Sequence, residues 1–379
     1  MMSFLSEPEL WSDEEQAYWL AFDRLPGTGI GVSKLKQVFE RDHTIKSLWC
    51  ANADELAKYK IFTAQMIESW LEKRSQIDPE SVLNDLKKTD IQAYPFFHPR
   101  YPYRLREIHD PPAVLYMLGE LTPDDLRHAT AVVGTRKPTS YGERLVKQMT
   151  ENLALSGVGI VSGMAIGIDS LAHWAAIEGG GKTVAVLACG VDVCYPSSNK
   201  PLYQKLVGGE HGAVISEFPP GTKPEEWRFP ARNRIVSGLS DAVLVIEAGE
   251  KSGALITASI AFEQNRTVFA VPGRVDNPQS KGCHMLIRDG KAHLCEGFLD
   301  LMRTMEWISA GPVRGVPTVV ELFGRERELY ELISSEPVHF DYLCEKSGMP
   351  APELSATLTM LELAGVVTRH PGDWYARSY

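Results

Sequence analysis

Four cations and one aromatic ring carry most of the chemistry open to this sequence. Arg136 follows Val133-Gly134-Thr135, Lys200 follows Asn199, and Arg232 and Arg234 fall in the run Phe229-Pro230-Ala231-Arg232-Asn233-Arg234. A guanidinium offers a planar fork of donors that matches phosphate oxygens, and a lysine offers a point charge. Phe229 is a flat apolar surface on which a nucleobase can stack. Gly134 and Thr135, Ser162 and Gly163, and Ser252 and Gly253 each close an apolar run and precede a helical pattern. Turns of that kind aim backbone N–H groups at anions. Asn233, between the two arginines, adds an amide. Several phosphates in a row would use all of these groups, whereas one mononucleotide would not. The competing reading makes Phe229 and Pro230 core residues and the arginines solvation of a helix end.

Other polar groups support less. Asp169 and His173 stand at i, i+4, a spacing that suits a helix-capping carboxylate paired with an imidazole, or an acid and a base. No nucleophile or ligand cluster accompanies them, so the structural reading is preferred and no catalytic residue is assigned. The six cysteines are scattered without a CxxC or a nearby His pair, which points to reduced thiols and to neither a zinc site nor a disulfide framework. The Gly134 turn lacks GxGxxG spacing, and no acidic residue ends the next strand, so a dinucleotide cofactor is not expected. No other cofactor or metal is indicated either. A net charge of −10 argues against non-specific coating of duplex DNA but leaves room for one local basic groove. No apolar run is long enough to span a membrane, and the acidic first residues lack the pattern of a signal peptide, so a cytoplasmic protein is expected.

These groups need a scaffold. From about Ala113 to Arg303 the pattern is strand, turn, helix, repeated. Candidate strands are Ala131–Gly134, Gly159–Ser162, Thr183–Ala188, Ala213–Glu217, Ala242–Glu247 and Val268–Val271. They are short β-branched runs without alternation, as in parallel strands buried on both faces. Helical spacing near Tyr141–Leu155, Ser170–Glu178, Pro201–Val207, Arg232–Leu239 and Ala254–Gln264 separates them. The expected fold is α/β, a Rossmann-like doubly wound, mostly parallel sheet over residues 91–310. In such sheets ligands bind beyond the carboxyl ends of the strands, where every group named above falls.

Residues 1–90 read as a small all-helical domain, of the SAM or helix-hairpin-helix kind, with a Gly-bearing turn at Leu25–Gly31. The Pro- and aromatic-rich stretch Pro95–Pro112 reads as an ordered connector. Residues 318–379 read as three helices, Glu321–Ser334, Val338–Ser347 and Pro352–Gly365, followed by strands Val366–Arg369 and Trp374–Arg377, a winged-helix-like domain. Its second and third helices carry Lys346 against Asp341, Glu345, Glu353 and Glu362, which favours protein docking over DNA reading.

Taken together, VVGTR, IVSGMAIGID with LAH, YPSSNK, FPARNRIVSGLS, EAGEKSGALITA, VFAVPG and SKGCHMLIRDG resemble, in order and spacing, the DNA-processing protein A family (DprA, also called Smf). The likeness covers roughly residues 100–300, and the accessory domains look like those of some members. It implies a cytosolic protein that binds single-stranded DNA in natural transformation and recombination, protects it, and loads the RecA recombinase, acting as a homodimer. By motif, Arg136 and Lys200 would contact phosphates, Gly134, Ser162 and Gly163 would line the groove, Arg232 and Arg234 would complete the basic surface, and Phe229 would stack on a base. Asp289-Gly290-Lys291-Ala292 departs from the shorter Gly-Ala of many members.

The rival is an enzyme or sensor. Related Rossmann-like proteins hydrolyse nucleotide N-glycosidic bonds with a double-Gly loop, which is missing from EAGEKSGALIT here. Glu247 or Glu263 would have to supply the carboxylate.

Overall fold

A computed structural model describes residues 12–25, 31–308, 322, 324–334, 336–363 and 366–377. The chain forms two compact units, Met1–Pro312 and Val313–Tyr379.

Among the described residues the first unit begins with six helices: α1 (Asp13–Asp23), α2 (Val32–Asp42), α3 (Lys46–Cys50), α4 (Ala53–Lys58), α5 (Ala64–Arg74) and α6 (Pro79–Lys87). Ser12, Asn52, Thr63 and Asp78 start α1, α4, α5 and α6, each side chain accepting from the N–H three residues on. Aromatic rings fill the interior. Phe22 meets Trp70 edge-on at 4.2 Å and Trp49 at 5.4 Å, contacts worth about 0.5–1.5 kcal/mol each beyond burial. Buried Glu15 accepts from Ile45 N at 2.6 Å and Thr44 Oγ1 at 2.5 Å, fixing the entry to α3. Of the expected Gly-bearing turn, Pro26–Ile30 lie outside the described residues.

A nine-stranded sheet follows: β1 (Gln92–Pro95), β2 (Val114–Gly119), β3 (Ala129–Val133), β4 (Gly159–Ser162), β5 (Thr183–Val186), β6 (Gly212–Ser216), β7 (Ala242–Val245), β8 (Thr267–Ala270) and β9 (His293–Leu294). The order is β1-β2-β6-β5-β4-β3-β7-β8-β9. β3 to β9 are parallel, and β2 runs antiparallel to both of its neighbours. All six expected strands are present, and the doubly wound fold is as expected. β1, β2 and β9 were not foreseen. β1 begins just before the Pro-rich connector and β2 just after it, and β9 is only two residues long. Strand β1 packs beneath α1, where Gln16 Nε2 donates to Ala93 O at 3.1 Å, and just past it Phe97 stacks on Phe39 of α2 at 4.2 Å.

The connections are α7 (Tyr103–Arg106), α8 (Ser140–Leu155), α9 (Ile168–Glu178), α10 (Lys200–Val207), α11 (Arg228–Gly238), α12 (Gly253–Glu263), α13 (Lys281–Arg288) and α14 (Phe298–Thr304). Alternate strand residues separate two cores. Val132, Leu244 and Phe269 meet α8 and α9, while Val133, Val243 and Ala270 meet α11 and α12. From β3 the chain leaves through α8 to β4, and from neighbouring β7 it leaves through α12 to β8 on the other side. The loops after β3 and β7 therefore part, leaving a crevice at the carboxyl rim.

The second unit contains α15 (Arg325–Leu332), β10 (Val338–His339), α16 (Phe340–Ser347), α17 (Ala351–Leu363), β11 (Val367–His370) and β12 (Trp374–Arg377), with strand order β10-β12-β11. Leu329, Leu343, Leu354, Leu358 and Tyr375 form its core. This is the expected winged helix, with one change. Val338 and His339 pair with Tyr375 and Trp374 and do not begin a helix.

Candidate nucleic-acid interface

A cleft of 510 Å³ occupies the crevice. Five segments line it: the turn after β3, the loop after β4, the first turns of α11, the turn after β7 with the start of α12, and Gln279 after β8. Buried Glu247 builds the first. Its carboxylate accepts from Thr139 N at 2.8 Å and Thr139 Oγ1 at 2.6 Å, and its carbonyl accepts from Thr135 N at 2.7 Å. Thr139 in turn caps α8 through Gly142 N. This frame holds Gly134, Thr135 and Arg136 at the cleft wall. Arg136 is exposed and enters no hydrogen bond or ion pair among the described residues. Its guanidinium lies 6.0 Å from the centre of the half-buried Phe229 ring.

Helix α11 starts four residues earlier than the spacing suggested, at Arg228. Pro230 is tolerated because the first N–H groups of a helix have no intrahelical acceptor. This sorts the Phe229–Arg234 motif. Phe229, Arg232, Asn233 and Val236, at i, i+3, i+4 and i+7, face the cleft. Arg234 does not line it. Its guanidinium makes a two-pronged pair with Glu217 at 2.7 and 2.6 Å and lies 3.4 Å from Asp110. As part of a basic surface for DNA, Arg234 is displaced by this pairing.

Arg232 reaches the cleft floor but is not free there. The residue is 5% exposed. Its Nη1 donates to Gly163 O at 2.7 Å and to Val186 O, and Nε to Asn233 Oδ1 at 3.3 Å. Asp169 faces it and accepts from Gly163 N at 3.2 Å and Ala165 N at 3.4 Å. Burial pushes the Asp169 carboxyl upward, opposed by the charge of Arg232, and burial lowers Arg232 in turn. Gly163 has to be glycine, since a Cβ would stand 2.7 Å from both Arg232 Nη2 and Asp169 Oδ2. The loop donors expected to cradle phosphate are therefore already engaged by a carboxylate of the same chain.

The expected Asp169–His173 pair does not form. His173 is fully buried and its Nδ1 lies 2.6 Å from Thr183 Oγ1, whose proton goes to Ile160 O at 2.9 Å. The imidazole is therefore the donor to Thr183. Burial first, then the charge of Arg232, drives its pKa down to about 3, so it is neutral. Ser162 is also a correction. It lies inside the sheet, donating to Val132 O at 2.6 Å, and lines nothing.

Ser252 and Gly253 complete the far wall, where Ser252 Oγ accepts from Ala254 N at 3.3 Å and opens α12. Lys200 is exposed at the start of α10 but outside the cleft lining. Neighbouring Asn199 ties its segment to the loop after β4, donating to Met164 O at 2.8 Å. Two residues were overlooked. Lys251 is exposed on the wall with Ser252, and its position just before a helix-opening Ser-Gly was the available signal. Tyr195, with its ring 5.6 Å from Phe229, extends the aromatic surface into an adjoining recess. Neither carboxylate needed for glycoside hydrolysis is poised. Glu247 is buried under Thr139, and Glu263 lies at the far end of α12. Among the described residues no His, Cys, Asp and Glu cluster could hold a metal ion, and no helix is long and apolar enough to cross a membrane.

Residues 92–306 match the family model described as DNA recombination-mediator protein A, and residues 317–373 match the DprA winged helix domain. The Smf protein of Synechocystis sp. is 34% identical, with 97% of this chain aligned to 100% of that one. The X-ray structure of DNA processing protein A from Streptococcus pneumoniae has a TM-score of 0.64 at 33% identity, covering 77% of this chain and 98% of that one. A structure of DNA processing protein A from Helicobacter pylori, concerned with a single-stranded DNA binding mode of that protein, has a TM-score of 0.52 at 29% identity, covering 57% and 96%. With these matches spanning the doubly wound core and the winged helix, the chain belongs to the DNA-processing protein A family.

Proposed function

We propose that this protein processes DNA by binding it single-stranded at the carboxyl rim of the sheet. The observation that carries the reading is Arg136, exposed and without an ion partner among the described residues, beside a half-buried Phe229 at the mouth of the cleft. A guanidinium for phosphate next to a ring for a base is the minimal unit of sequence-tolerant strand binding. Lys251 and Lys200 supply further charge along the rim. The single-stranded DNA binding of the Helicobacter pylori relative supports the same reading. By family resemblance, the bound strand would be protected and passed to the RecA recombinase in transformation, by a homodimer in the cytoplasm. The protein would act as a binder and not as an enzyme. Thr139 already holds Glu247, which weighs against nucleotide hydrolysis.

The test is fluorescence anisotropy of a labelled thirty-base oligonucleotide, single- against double-stranded, over a salt series. Binding should favour the single strand, weaken with salt, and weaken further in Arg136→Ala. The variant should also flatten the log–log salt slope by about 0.7, the value for one phosphate on a single strand. Absence of binding at low salt would defeat the proposal, and release of free base from nucleoside monophosphates would then be the assay to run.

A further inference from the structure

Helix α11 bridges two places on the rim. Phe229 faces the cleft, and two residues earlier Trp227 lies against Phe218 at the end of β6, ring to ring at 6.1 Å and edge-on. Trp227 is 61% exposed. A large indole in open solvent at a helix start needs a reason, and its setting is ordered. The Nε1–H donates to Glu225 Oε2 at 2.5 Å, and the Arg228 guanidinium covers one ring face at 5.0 Å while also lying 5.0 Å from Phe218. Most of the residue is left to solvent. Glu225 is engaged twice over, by the indole and by Arg228 at 3.4 Å, so its charge is compensated. The loop carrying Trp227 is tied to the neighbouring rim loop, with Gly221 N donating to Asp192 at 2.8 Å and Gly190 N to Thr222 O at 2.9 Å.

Resting on the DNA-binding reading above, we infer that Trp227 is a second stacking platform for single-stranded DNA, and that the strand leaves the cleft across Tyr195 toward β6. The rim order supports this path. Arg136 follows β3, Tyr195 follows β5 and Trp227 lies at β6, in strand order along one edge. Three strand spacings separate the ends, about 14 Å at the usual 4.8 Å each. Stacked bases rise about 3.4 Å along a strand, so this is about four nucleotides at most. A protein partner is the other occupant an exposed indole can serve. Continuity with the cleft through Tyr195 and Phe229 favours DNA.

The experiment compares oligodeoxythymidylates of two and twelve nucleotides on the full chain, by competition against a labelled twelve-mer. One base–aromatic stack is worth about a 5- to 150-fold change in affinity. Trp227→Ala should weaken the twelve-mer by that factor and leave the dinucleotide, which is too short to span cleft and platform together, unchanged. Trp227→Phe should keep most of the twelve-mer affinity. Unchanged twelve-mer binding by Trp227→Ala overturns the inference and leaves the indole to a protein partner or to no role, while the cleft reading survives. Equal losses on both lengths also overturn it, since they mean damage to the cleft. Failure of the unaltered protein to bind either oligonucleotide removes the DNA reading itself.

Discussion

Replacing Asp169 by asparagine removes one charge from beneath the cleft while keeping the shape of the side chain. The carboxylate faces Arg232, and both residues are less than a tenth exposed. The two side chains form no ion pair among the described residues, and burial, only partly opposed by the charge of Arg232, raises the Asp169 carboxyl, so the ionised group adds no net stability at neutral pH. Two features keep the cost of the change small. Arg232 keeps its bonds to Gly163 O and Val186 O, and an asparagine oxygen can still accept from Gly163 N or Ala165 N, whose present bonds are long at 3.2 and 3.4 Å. The expected change is therefore within about 1 kcal/mol, about 2 °C or less in melting temperature. Thermal unfolding followed by circular dichroism measures it. Removing a negative charge near Arg136 should at the same time leave single-stranded DNA affinity equal or slightly higher at low salt. Full stability with a tenfold loss of affinity would refute the reasoning, and Asp169 would then be a ligand-contacting or chemical group.

Phe229→Ala should weaken single-stranded DNA binding by about 1–3 kcal/mol; a loss below about 0.3 kcal/mol in the anisotropy assay would take the ring out of the interface. Arg234→Ala should cost about 3 kcal/mol of stability by stranding Glu217, itself 17% exposed, and leave the salt slope of DNA binding untouched. A flattened slope in that variant would return Arg234 to the DNA. Asp23 accepts from the buried Tyr116 hydroxyl at 2.8 Å, and burial, with the charge of Glu217 adding, raises its carboxyl from 3.8 to about 7. The folded state thus favours the protonated acid. Stability from this site is complete below about pH 4 and is lost as pH rises through about 7. Asp23→Asn should then be more stable than the unaltered protein at pH 8, by about 4 kcal/mol at most, and no more stable at pH 4. Parallel pH profiles in urea denaturation would contradict the assignment.

The parallel sheet could be read from the sequence because its strands announce themselves locally. Runs such as Val184–Val186 and Val243–Val245 are apolar, mostly β-branched, and lead into turn residues. β1 could not be read, because Pro95 and the rings after it look like a connector until α1 is seen to cover them. At the site, Gly134, Arg136, Phe229 and Asn233 were legible from type and spacing. The fates of Arg232 and Arg234 were not. Two residues apart on a helix is about 200° of rotation, and that rotation counts only once the helix is known to start before Pro230. Spacing also suggested an Asp169–His173 pair, whereas the partner of His173 is Thr183 on β5, a contact that no local pattern contains.

The edge of the sheet at β1 has a consequence for how this chain can be divided. An uncovered edge strand is a template for unwanted pairing with other chains. Here α1 occupies that position, Gln16 holds Ala93 O, and Phe97 stacks into the helical segment beside Trp19. The helices and the sheet therefore share one margin of stability and are not independent modules on a tether. A core fragment begun at β1 would carry raw apolar surface and a free ladder, and would aggregate through the edge that α1 covers in the full chain.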